Sequence, residues 1–460
     1  MKEIVINFSN DSPLYMQIYE KLKVDIMAGF YRKGDQLPSK RKLASHLKVS
    51  INTVESAYQQ LIAEGYVESR PKQGIFVQRV QNEDVFAERT QKASCIPDNK
   101  NNPYTIDFSQ GNVDIDHFPI KVWRKCSLQA LDHPQILHVG HEQGEYELRE
   151  ELSQYLYRAR GVQCSPDQIV IGAGTQNLLI LLGMLFEKGS ILAFEDPGYH
   201  RAKWTFQKIG MSICPIPVEE DGLSIEQLLS SKANIVYCTP SHQFPLGMIM
   251  PIHQRQQLIK WAYDVEGYII EDDYDGEFRY EGRPIPALQG LDQQNRVIYL
   301  GTFSKSLVPS LRVNYLVLPP TLLAQYKESL SLMKQSVSKI NQQTLALFMK
   351  EGHWEKHINK MRTLYRKKQQ ILIQSIQECF QREMIVRGEK SGLHIILQDQ
   401  RNRDEQKLIT KAMRNGIRVY ETSQFYSKCK QEKTEILIGY GGVSLEEIQT
   451  GIRTLGEAWR

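Results

Sequence analysis

The chain is 460 residues long, which exceeds one ordinary domain, and 41% of its residues are hydrophobic, enough for two separate cores. No apolar run approaches the roughly 18 residues that a membrane span needs, and the first residues lack a signal-peptide pattern, so we expect a cytoplasmic protein rather than a membrane protein. Seven widely spaced cysteines without a C-x-x-C pair indicate neither disulfides nor a metal site. The formal net charge of +4 comes from residues 1–80, which favours a folded nucleic-acid-binding module at that end.

Residues 12–78 contain the pattern of three helices followed by a hairpin. Leucine and isoleucine recur at four-residue spacing from Leu14 to Ile26, which predicts an amphipathic helix. Ser39 and Ser50 can each cap a shorter helix, and two helices joined by a short turn make a helix-turn-helix. The segment from Tyr66 to Val77 predicts a hairpin with a turn at its centre, which would form a wing.

The helix that begins at Ser50 is the predicted DNA-reading element. A recognition helix enters the major groove with its N-terminal residues foremost, while the preceding helix and the wing contact the backbone. The alternative is a helical interaction domain with a solvated basic face, which the predicted wing disfavours. The predicted DNA-binding residues are Ser39, Lys40, Arg41, Ser50, Ile51, Asn52, Thr53, Arg70, Lys72 and Gly74.

The rest of the chain divides into a linker and a large α/β domain. Residues 79–104 are polar without periodicity, which predicts a linker. Apolar runs then alternate with helical segments, which predicts a βα repeat and a mostly parallel sheet. A long helical region from Leu323 to Arg366 and beyond precedes a smaller α+β domain. The main strand-like runs are Ile191–Phe194, Ile235–Cys238, Tyr268–Ile270, Val297–Leu300, Tyr315–Leu318, His394–Leu397 and Ile436–Gly439.

Lys305 is the residue around which the predicted site is organised. It follows the strand-like run that ends before Gly301, in a small-residue loop between Thr302 and Ser304. Open α/β sheets bind ligands at the ends of their strands, and a lysine held there can lose its charge and attack an aldehyde. The aldehyde suggested is pyridoxal phosphate. A lysine in a loop is weak support alone, because most lysines are solvated.

Partners for that lysine follow other predicted strands. Asp272 and Tyr274 come after a buried run, where a carboxylate can keep a pyridine nitrogen protonated and a phenol can bond the ring's 3-oxygen. Arg312 offers a fork for the phosphate. The loop Gly172–Asn177 opens a helix and presents backbone N–H groups to an anion. Tyr199 could stack on the ring. The predicted cofactor-binding residues are Gly174, Thr175, Gln176, Tyr199, Asp272, Tyr274, Thr302, Ser304, Lys305 and Arg312.

These motifs resemble a known family over nearly the whole chain. Residues 10–78 resemble a GntR-type winged helix and residues 105–460 a fold-type I aminotransferase, and with Thr239–Pro245 the combination resembles the MocR/GabR family of bacterial regulators. The resemblance implies domains at 1–78 and 105–460 joined by the linker, and a homodimer. It implies that Lys305 forms the Schiff base with pyridoxal phosphate. By the same resemblance Asp272 partners the pyridine nitrogen, Tyr274 the 3-oxygen and Arg312 the phosphate.

The predicted function is a transcriptional regulator that binds promoter DNA and senses pyridoxal phosphate or an amine that reacts with it. A working aminotransferase with a DNA-binding head is the alternative, and a DNA-binding protein with a relic core is a third. Phe244 stands where aminotransferases usually carry an asparagine, and Val139 where many carry a tyrosine. Leu437 stands where members that recognise amino acids carry an arginine, so Arg201 is the candidate effector-binding residue.

Overall fold

The structure is a computed structural model that describes residues 4–6, 8–9, 12–78, 104–282, 285–330, 332–427 and 433–460. Two compact units, residues 1–100 and 101–460, separate by their internal contacts. The predicted linker lies outside the described residues except for Tyr104. Among the described residues, no helix combines the length and apolar character that crossing a bilayer requires.

The first unit contains the predicted three helices and hairpin. Helices α1 (Leu14–Met27), α2 (Lys40–Leu47) and α3 (Ile51–Ala63) precede strands β1 (Val67–Arg70) and β2 (Gly74–Val77). Ser39 accepts a hydrogen bond from the backbone N–H of Lys42 at 3.3 Å, and Ser50 accepts one from Thr53 at 3.1 Å, so both predicted caps are confirmed. The apolar faces of the helices pack into one core that includes Ile18, Leu22, Leu43, Val54, Leu61 and Val67.

A large sheet forms the centre of the second unit and confirms the predicted α/β class. Its order is β4-β11-β10-β9-β8-β5-β6-β7. The five strands from β10 to β6 run parallel, whereas β11 is antiparallel to both of its neighbours. The strands are β4 (Ile169–Gly172), β5 (Ile191–Asp196), β6 (Ser212–Glu219), β7 (Gly222–Leu223), β8 (Ile235–Cys238), β9 (Tyr268–Asp273), β10 (Val297–Thr302) and β11 (Asn314–Val317).

Helices connect and cover the strands of this sheet. The strands β4, β8 and β10 are almost wholly buried and mainly apolar, as expected for central strands that are covered on both faces. The strands β5 and β9 begin apolar and end in buried carboxyl side chains. The helices of this part are α4 (Ile120–Leu131), α5 (Tyr146–Arg160), α6 (Thr175–Leu185), α7 (His200–Lys208), α8 (Ile225–Ser230) and α9 (Ile252–Asp264).

The predicted helical region after the sheet is present but interrupted. Helix α10 (Pro320–Gln325) passes into a π-helical turn, and α11 (Lys339–Lys350) is separated from α12 (His353–Phe380) at Gly352. That glycine has a φ of +72°, a conformation that a continuing helix cannot contain. The helical periodicity of the sequence continues across residues where the backbone leaves the helical conformation. The periodicity therefore predicted one long helical region and did not reveal its breaks.

A smaller antiparallel sheet completes the second unit. Its order is β12-β13-β16-β15, and a separate parallel pair joins β14 to β3. The helices α12, α13 and α14 pack with this sheet around an apolar core. The elements are β3 (Ile106–Asp107), β12 (Met384–Arg387), β13 (His394–Asp399), α13 (Glu405–Arg414), β14 (Ile417–Arg418), β15 (Tyr420–Glu421), β16 (Glu435–Gly439) and α14 (Leu445–Ala458).

Candidate functional site

A cavity of about 200 Å³ lies where β4, β9 and β10 end. Ten of the eleven residues that we predicted to bind cofactor or effector line it, and the eleventh, Gly174, packs against one of them. The structure thus brings together residues that are up to 202 positions apart in the sequence, from Gln110 to Arg312. The lining residues are Gln110, Gly111, Thr175, Gln176, Tyr199, Arg201, Thr239, Phe244, Asp272, Tyr274, Thr302, Ser304, Lys305, Pro309 and Arg312.

Lys305 presents its amine to the cavity from the loop after β10. Its Nζ donates to the backbone oxygen of Gln110 and lies 3.5 Å from the side-chain Oε1 of the same residue. Burial lowers the pKa of Lys305 to about 8, because a charged amine is poorly solvated there. A useful fraction of the amine is therefore neutral near physiological pH. Gln110 was missed by the sequence reasoning; its loop between Phe108 and Asn112 is rich in small and polar residues, which is the one signal that could have indicated it.

Asp272 offers a buried negative charge on the wall formed by the end of β9. Burial raises the pKa of its carboxyl to about 7, and the hydrogen bond that it accepts from the Tyr237 hydroxyl opposes that rise. No lysine or arginine among the described residues forms an ion pair with it. A cationic ring nitrogen in the cavity would supply the missing positive charge, so the site fits a protonated pyridine at this point.

Tyr274 lies beside Asp272 and carries a protonated phenol. Burial raises the pKa of Tyr274 well above its ordinary value. The hydroxyl lies 2.9 Å from Nδ1 of His242, a fully buried residue that the sequence reasoning did not single out. The ring of Phe244 packs edge-on to that of Tyr274 with centroids 6.1 Å apart and contributes no polar atom.

An anion-binding corner lies at the start of α6. Gly174 is the N-cap of this helix with a φ of +91°, and a Cβ at that position would overlap the guanidinium of Arg312. The glycine therefore lets Arg312 approach the helix N-terminus, where the backbone N–H groups and the helix dipole also favour negative charge. Thr175, the first residue of α6, adds a hydroxyl to the same corner. A phosphate group fits this set of donors.

An apolar cluster includes Phe244, the one member of it that lines the cavity among the described residues. Phe244, Ile396, Phe425 and Leu437 form a buried cluster against which Tyr199, Tyr274 and Tyr420 pack. Leu437 is 0% exposed, and it lies in the middle of β16. A leucine side chain offers no donor to a ligand's carboxylate, and burying a carboxylate unpaired would cost several kcal/mol. The expectation that common amino acids bind poorly stays a prediction.

Arg201 is the second arginine of the cavity. It lines the same volume as Arg312 but lies on α7, beside Tyr199. Burial raises the pKa of Tyr199, and the nearby Arg201 guanidinium opposes the rise. Arg201 has no carboxylate partner among the ion pairs of the described residues. It is therefore available to an acidic group on a ligand.

The predicted DNA-binding residues divide into capping and exposed groups. Ile51, 46% exposed, and Asn52 begin α3 and face away from the core. Ser50 and Thr53 also bond to each other, with their hydroxyl oxygens 2.8 Å apart. Lys40 of α2 forms an exposed ion pair with Glu55 of α3 at 2.5 Å, so part of its charge is already neutralised.

The remaining basic residues of this surface lie on α2 and the wing. Arg41 is exposed at the start of α2. Arg70 pairs with Glu68 at 2.5 Å and lies over the ring of Phe76. Lys72 has a φ of +60° at the turn between the wing strands, and Gly74 follows the turn with a φ of +125°. These positions give one helix N-terminus and one hairpin tip from which a duplex could be contacted.

Comparisons with protein families match both units. Residues 104–455 match the model of aminotransferase class I and II, and residues 14–77 match that of bacterial regulatory proteins of the gntR family. The chain is 46% identical to the uncharacterized HTH-type transcriptional regulator YdeL of Bacillus subtilis over 99% of this chain and 98% of the relative. It is 33% identical to the probable rhizopine catabolism regulatory protein MocR of Rhizobium meliloti, over 99% and 96% of the two chains.

A more distant relative and a solved structure extend these matches. The HTH-type pyridoxine biosynthesis transcriptional regulator PdxR of Corynebacterium glutamicum is 28% identical over 99% of this chain and 98% of the relative. The crystal structure of the kynurenine aminotransferase of Pyrococcus horikoshii superposes with a TM-score of 0.68 at 27% identity, covering 77% of this chain and 90% of the other. The second unit thus has the fold of an aminotransferase.

Proposed function

The chain belongs to the MocR/GabR family of transcriptional regulators, with a GntR-type domain and an aminotransferase class I and II domain, and we propose that it controls DNA binding by sensing pyridoxal phosphate at Lys305. One observation carries this proposal. A single cavity collects a lysine of lowered pKa, a buried carboxylate, a protonated phenol and an arginine at a helix N-terminus. These are the groups that an aldehyde with a basic ring nitrogen and a phosphate requires.

Each residue has a separate task in this proposal. Bound pyridoxal phosphate supplies a reactive aldehyde carbon and an electron-withdrawing ring. Lys305 provides the neutral amine that attacks the aldehyde. Asp272 holds a proton on the ring nitrogen, and Tyr274 donates to the 3-oxygen. Arg312 and the N-terminus of α6 hold the phosphate.

Two classes of effector are compatible with a leucine at position 437. The first is pyridoxal phosphate itself, and the printed name of the PdxR relative, which refers to pyridoxine biosynthesis, supports it. The second is an amine that reacts with the bound cofactor and whose acidic group, if it has one, reaches Arg201. Leu437 of β16 is buried and offers no positive charge, which disfavours common amino acids whose carboxylate would require a cation at this position.

In this proposal the first unit binds the DNA. Asn52 and Ile51 at the start of α3 would face base edges, while Arg41 and Lys72 would contact phosphates. We also propose a homodimer, on the family resemblance. A dimer would place two recognition helices on the DNA together, as in other helix-turn-helix regulators.

Transamination is a second candidate function, and one observation favours it. The pKa of Lys305 is lowered, as a catalytic amine requires, so this lysine could still serve an aminotransferase reaction. Phe244 disfavours it, because an apolar ring replaces the amide that usually assists the ring oxygen. Turnover of an amine and a keto acid, measured with cofactor-loaded protein and with Lys305→Ala, separates a sensor from an enzyme.

The proposed function is tested with cofactor-free protein and a duplex selected by the full-length chain from a random DNA library. Pyridoxal phosphate is titrated while the cofactor's absorption and the DNA affinity are measured together. We expect the absorption and the DNA affinity to change in the wild type and in the surface control Lys208→Ala. In Lys305→Ala we expect the change in each of these two quantities to be smaller. Borohydride reduction followed by mass spectrometry should place the adduct on Lys305.

Two results would count against the proposal. A Lys305→Ala protein that responds to pyridoxal phosphate as the wild type does would show that the lysine is not the receptor. DNA affinity that stays constant while the cofactor binds would show that occupancy is not transmitted. A response complete without any added amine would favour pyridoxal phosphate as the effector.

A further inference from the structure

We propose that His242 and Asp275 act as a positioning pair that directs the hydroxyl proton of Tyr274 into the cavity. The inference rests on the proposed function, because it takes the cavity as the place where the cofactor's 3-oxygen binds. Neither His242 nor Asp275 lines that cavity. His242 contacts the Tyr274 hydroxyl, Asp275 contacts His242, and both residues are 2% exposed.

The contacts of one nitrogen atom carry the argument. Nδ1 of His242 lies 3.0 Å and 3.1 Å from the two carboxylate oxygens of Asp275 and 2.9 Å from the hydroxyl oxygen of Tyr274. An ionised carboxylate accepts hydrogen bonds and has no proton to donate. The hydrogen of the imidazole must therefore be on Nδ1 and point toward Asp275, because a lone pair at Nδ1 would face two negative oxygens.

The position of the hydrogen on His242 determines where the Tyr274 hydroxyl can donate its own hydrogen. Once Nδ1 is a donor, it has no lone pair in the ring plane, so the Tyr274 hydroxyl cannot donate to it. The Tyr274 oxygen can only accept a share of that N–H, which leaves its own hydrogen for another acceptor. Burial keeps the phenol protonated by raising the pKa of Tyr274. Its proton is then available to an oxygen atom inside the cavity.

Packing holds the imidazole in this orientation. A Cβ at Gly392 would overlap Cε1 of His242 and would lie 2.5 Å from both Nδ1 and an oxygen of Asp275. Only a glycine lets this backbone pack so closely against the pair. The ring of His394 lies 5.0 Å from that of His242 on another side, and its own Nε2 is 3.0 Å from the backbone oxygen of Pro245. The imidazole therefore has little room to turn.

The proposal also explains how the site works without an amide at position 244. Phe244 offers no donor, so the donation from Tyr274 has to be well oriented to hold the 3-oxygen. A hydrogen bond to a charged acceptor contributes about 1.5–3 kcal/mol. Misdirecting it should therefore weaken cofactor binding by about 10-fold to 100-fold, since each 1.4 kcal/mol is tenfold.

The test is a double-mutant cycle on the cofactor-free full-length protein. The affinity for pyridoxal phosphate is measured by fluorescence for the wild type, His242→Ala, Tyr274→Phe and the double variant. We expect each single change to weaken binding about tenfold or more and the double variant to bind no more weakly than Tyr274→Phe alone. The surface variant His253→Ala is the control, and circular dichroism checks that each protein is folded.

A conservative variant distinguishes positioning from packing. The amide nitrogen of His242→Asn falls near the place of Nδ1, so this variant should recover most of the affinity that His242→Ala loses. Losses that simply add in the double variant, or an asparagine no better than alanine, would overturn the proposal. So would a wild-type affinity that falls with EDTA and returns with zinc, because His242, Asp275 and His394 would then be metal ligands. If the wild type itself does not bind pyridoxal phosphate, the proposed function fails instead.

Discussion

Replacing Asp272 by asparagine should stabilise the cofactor-free protein and weaken its hold on pyridoxal phosphate. Asp272 is 6% exposed, and the only hydrogen bond to its carboxyl group among the described residues comes from the Tyr237 hydroxyl. Burial raises the pKa of its carboxyl from 3.8 to about 7. An asparagine oxygen can accept the same hydrogen bond, but the side chain never carries a charge. The substitution thus removes a buried charge while keeping its shape.

The magnitude follows from linkage between protonation and folding. The pKa of this carboxyl is 3.8 in the unfolded chain and about 7 in the folded chain. Between these two pH values only the folded state still binds the proton, so the free energy of unfolding of the wild type falls as pH rises. About two pH units of that interval lie above pH 5, and each corresponds to 1.36 kcal/mol. The free energy of unfolding of Asp272→Asn, relative to the wild type, should therefore rise by about 3 kcal/mol between pH 5 and pH 8.

Urea unfolding of the cofactor-free chain, followed by tryptophan fluorescence, measures this difference. All five tryptophans lie between Trp123 and Trp459, so the signal reports the second unit alone. Other buried carboxyls titrate in both proteins and largely cancel in the comparison. The exposed Asp264→Asn is the control and should show no such dependence on pH.

The cofactor supplies the second half of this prediction. Removing one side of a buried ion pair costs about 3–5 kcal/mol, so Asp272→Asn should bind pyridoxal phosphate at least about 100-fold more weakly. A difference in stability that does not change between pH 5 and pH 8 would refute the linkage argument. Unchanged cofactor affinity would refute the role of Asp272 as the partner of the ring nitrogen.

The other predictions concern the effector and the DNA. Arg201→Ala should bind pyridoxal phosphate as the wild type does but lose spectral responses to amines that carry a carboxylate; equal responses would exclude Arg201 as their partner. Arg41→Ala should flatten the plot of log affinity for DNA against log salt by about one unit, and an unchanged slope would mean that it touches no phosphate. Asn52→Ala should relax preference at one or two base pairs by roughly 1–3 kcal/mol in competition binding, whereas equal loss on all sequences would indicate a backbone contact. Glu55→Ala should free the charge of Lys40 and raise DNA affinity at low salt; lower affinity would show that Glu55 itself contacts the DNA.

Much of the fold follows from local patterns in the sequence. The helices and wing of the first unit have apolar residues at helical or strand spacing and serines at their caps, and these interactions join residues close in the chain. Lys305 and Asp272 could be grouped from the sequence because the ends of parallel strands meet at one edge of a sheet, and Arg312 follows Lys305 by only seven positions. Periodicity carries no strand direction, so it could not reveal that β11 runs antiparallel between β4 and β10.

The tertiary structure decided which residues complete the site. Gln110 meets Lys305 across 195 positions, and Tyr237 reaches Asp272 from a neighbouring strand, contacts that no local spacing encodes. The sequence shows a leucine at position 437, but only packing shows that Phe244 and other apolar side chains seal it from solvent. The sequence by itself determined which functional groups lie at the ends of the strands, because apolar runs mark the strands and the polar residues that follow them mark their ends. Proton positions, burial and pKa shifts depend on neighbours from distant segments, and for this reason only the folded chain determines them.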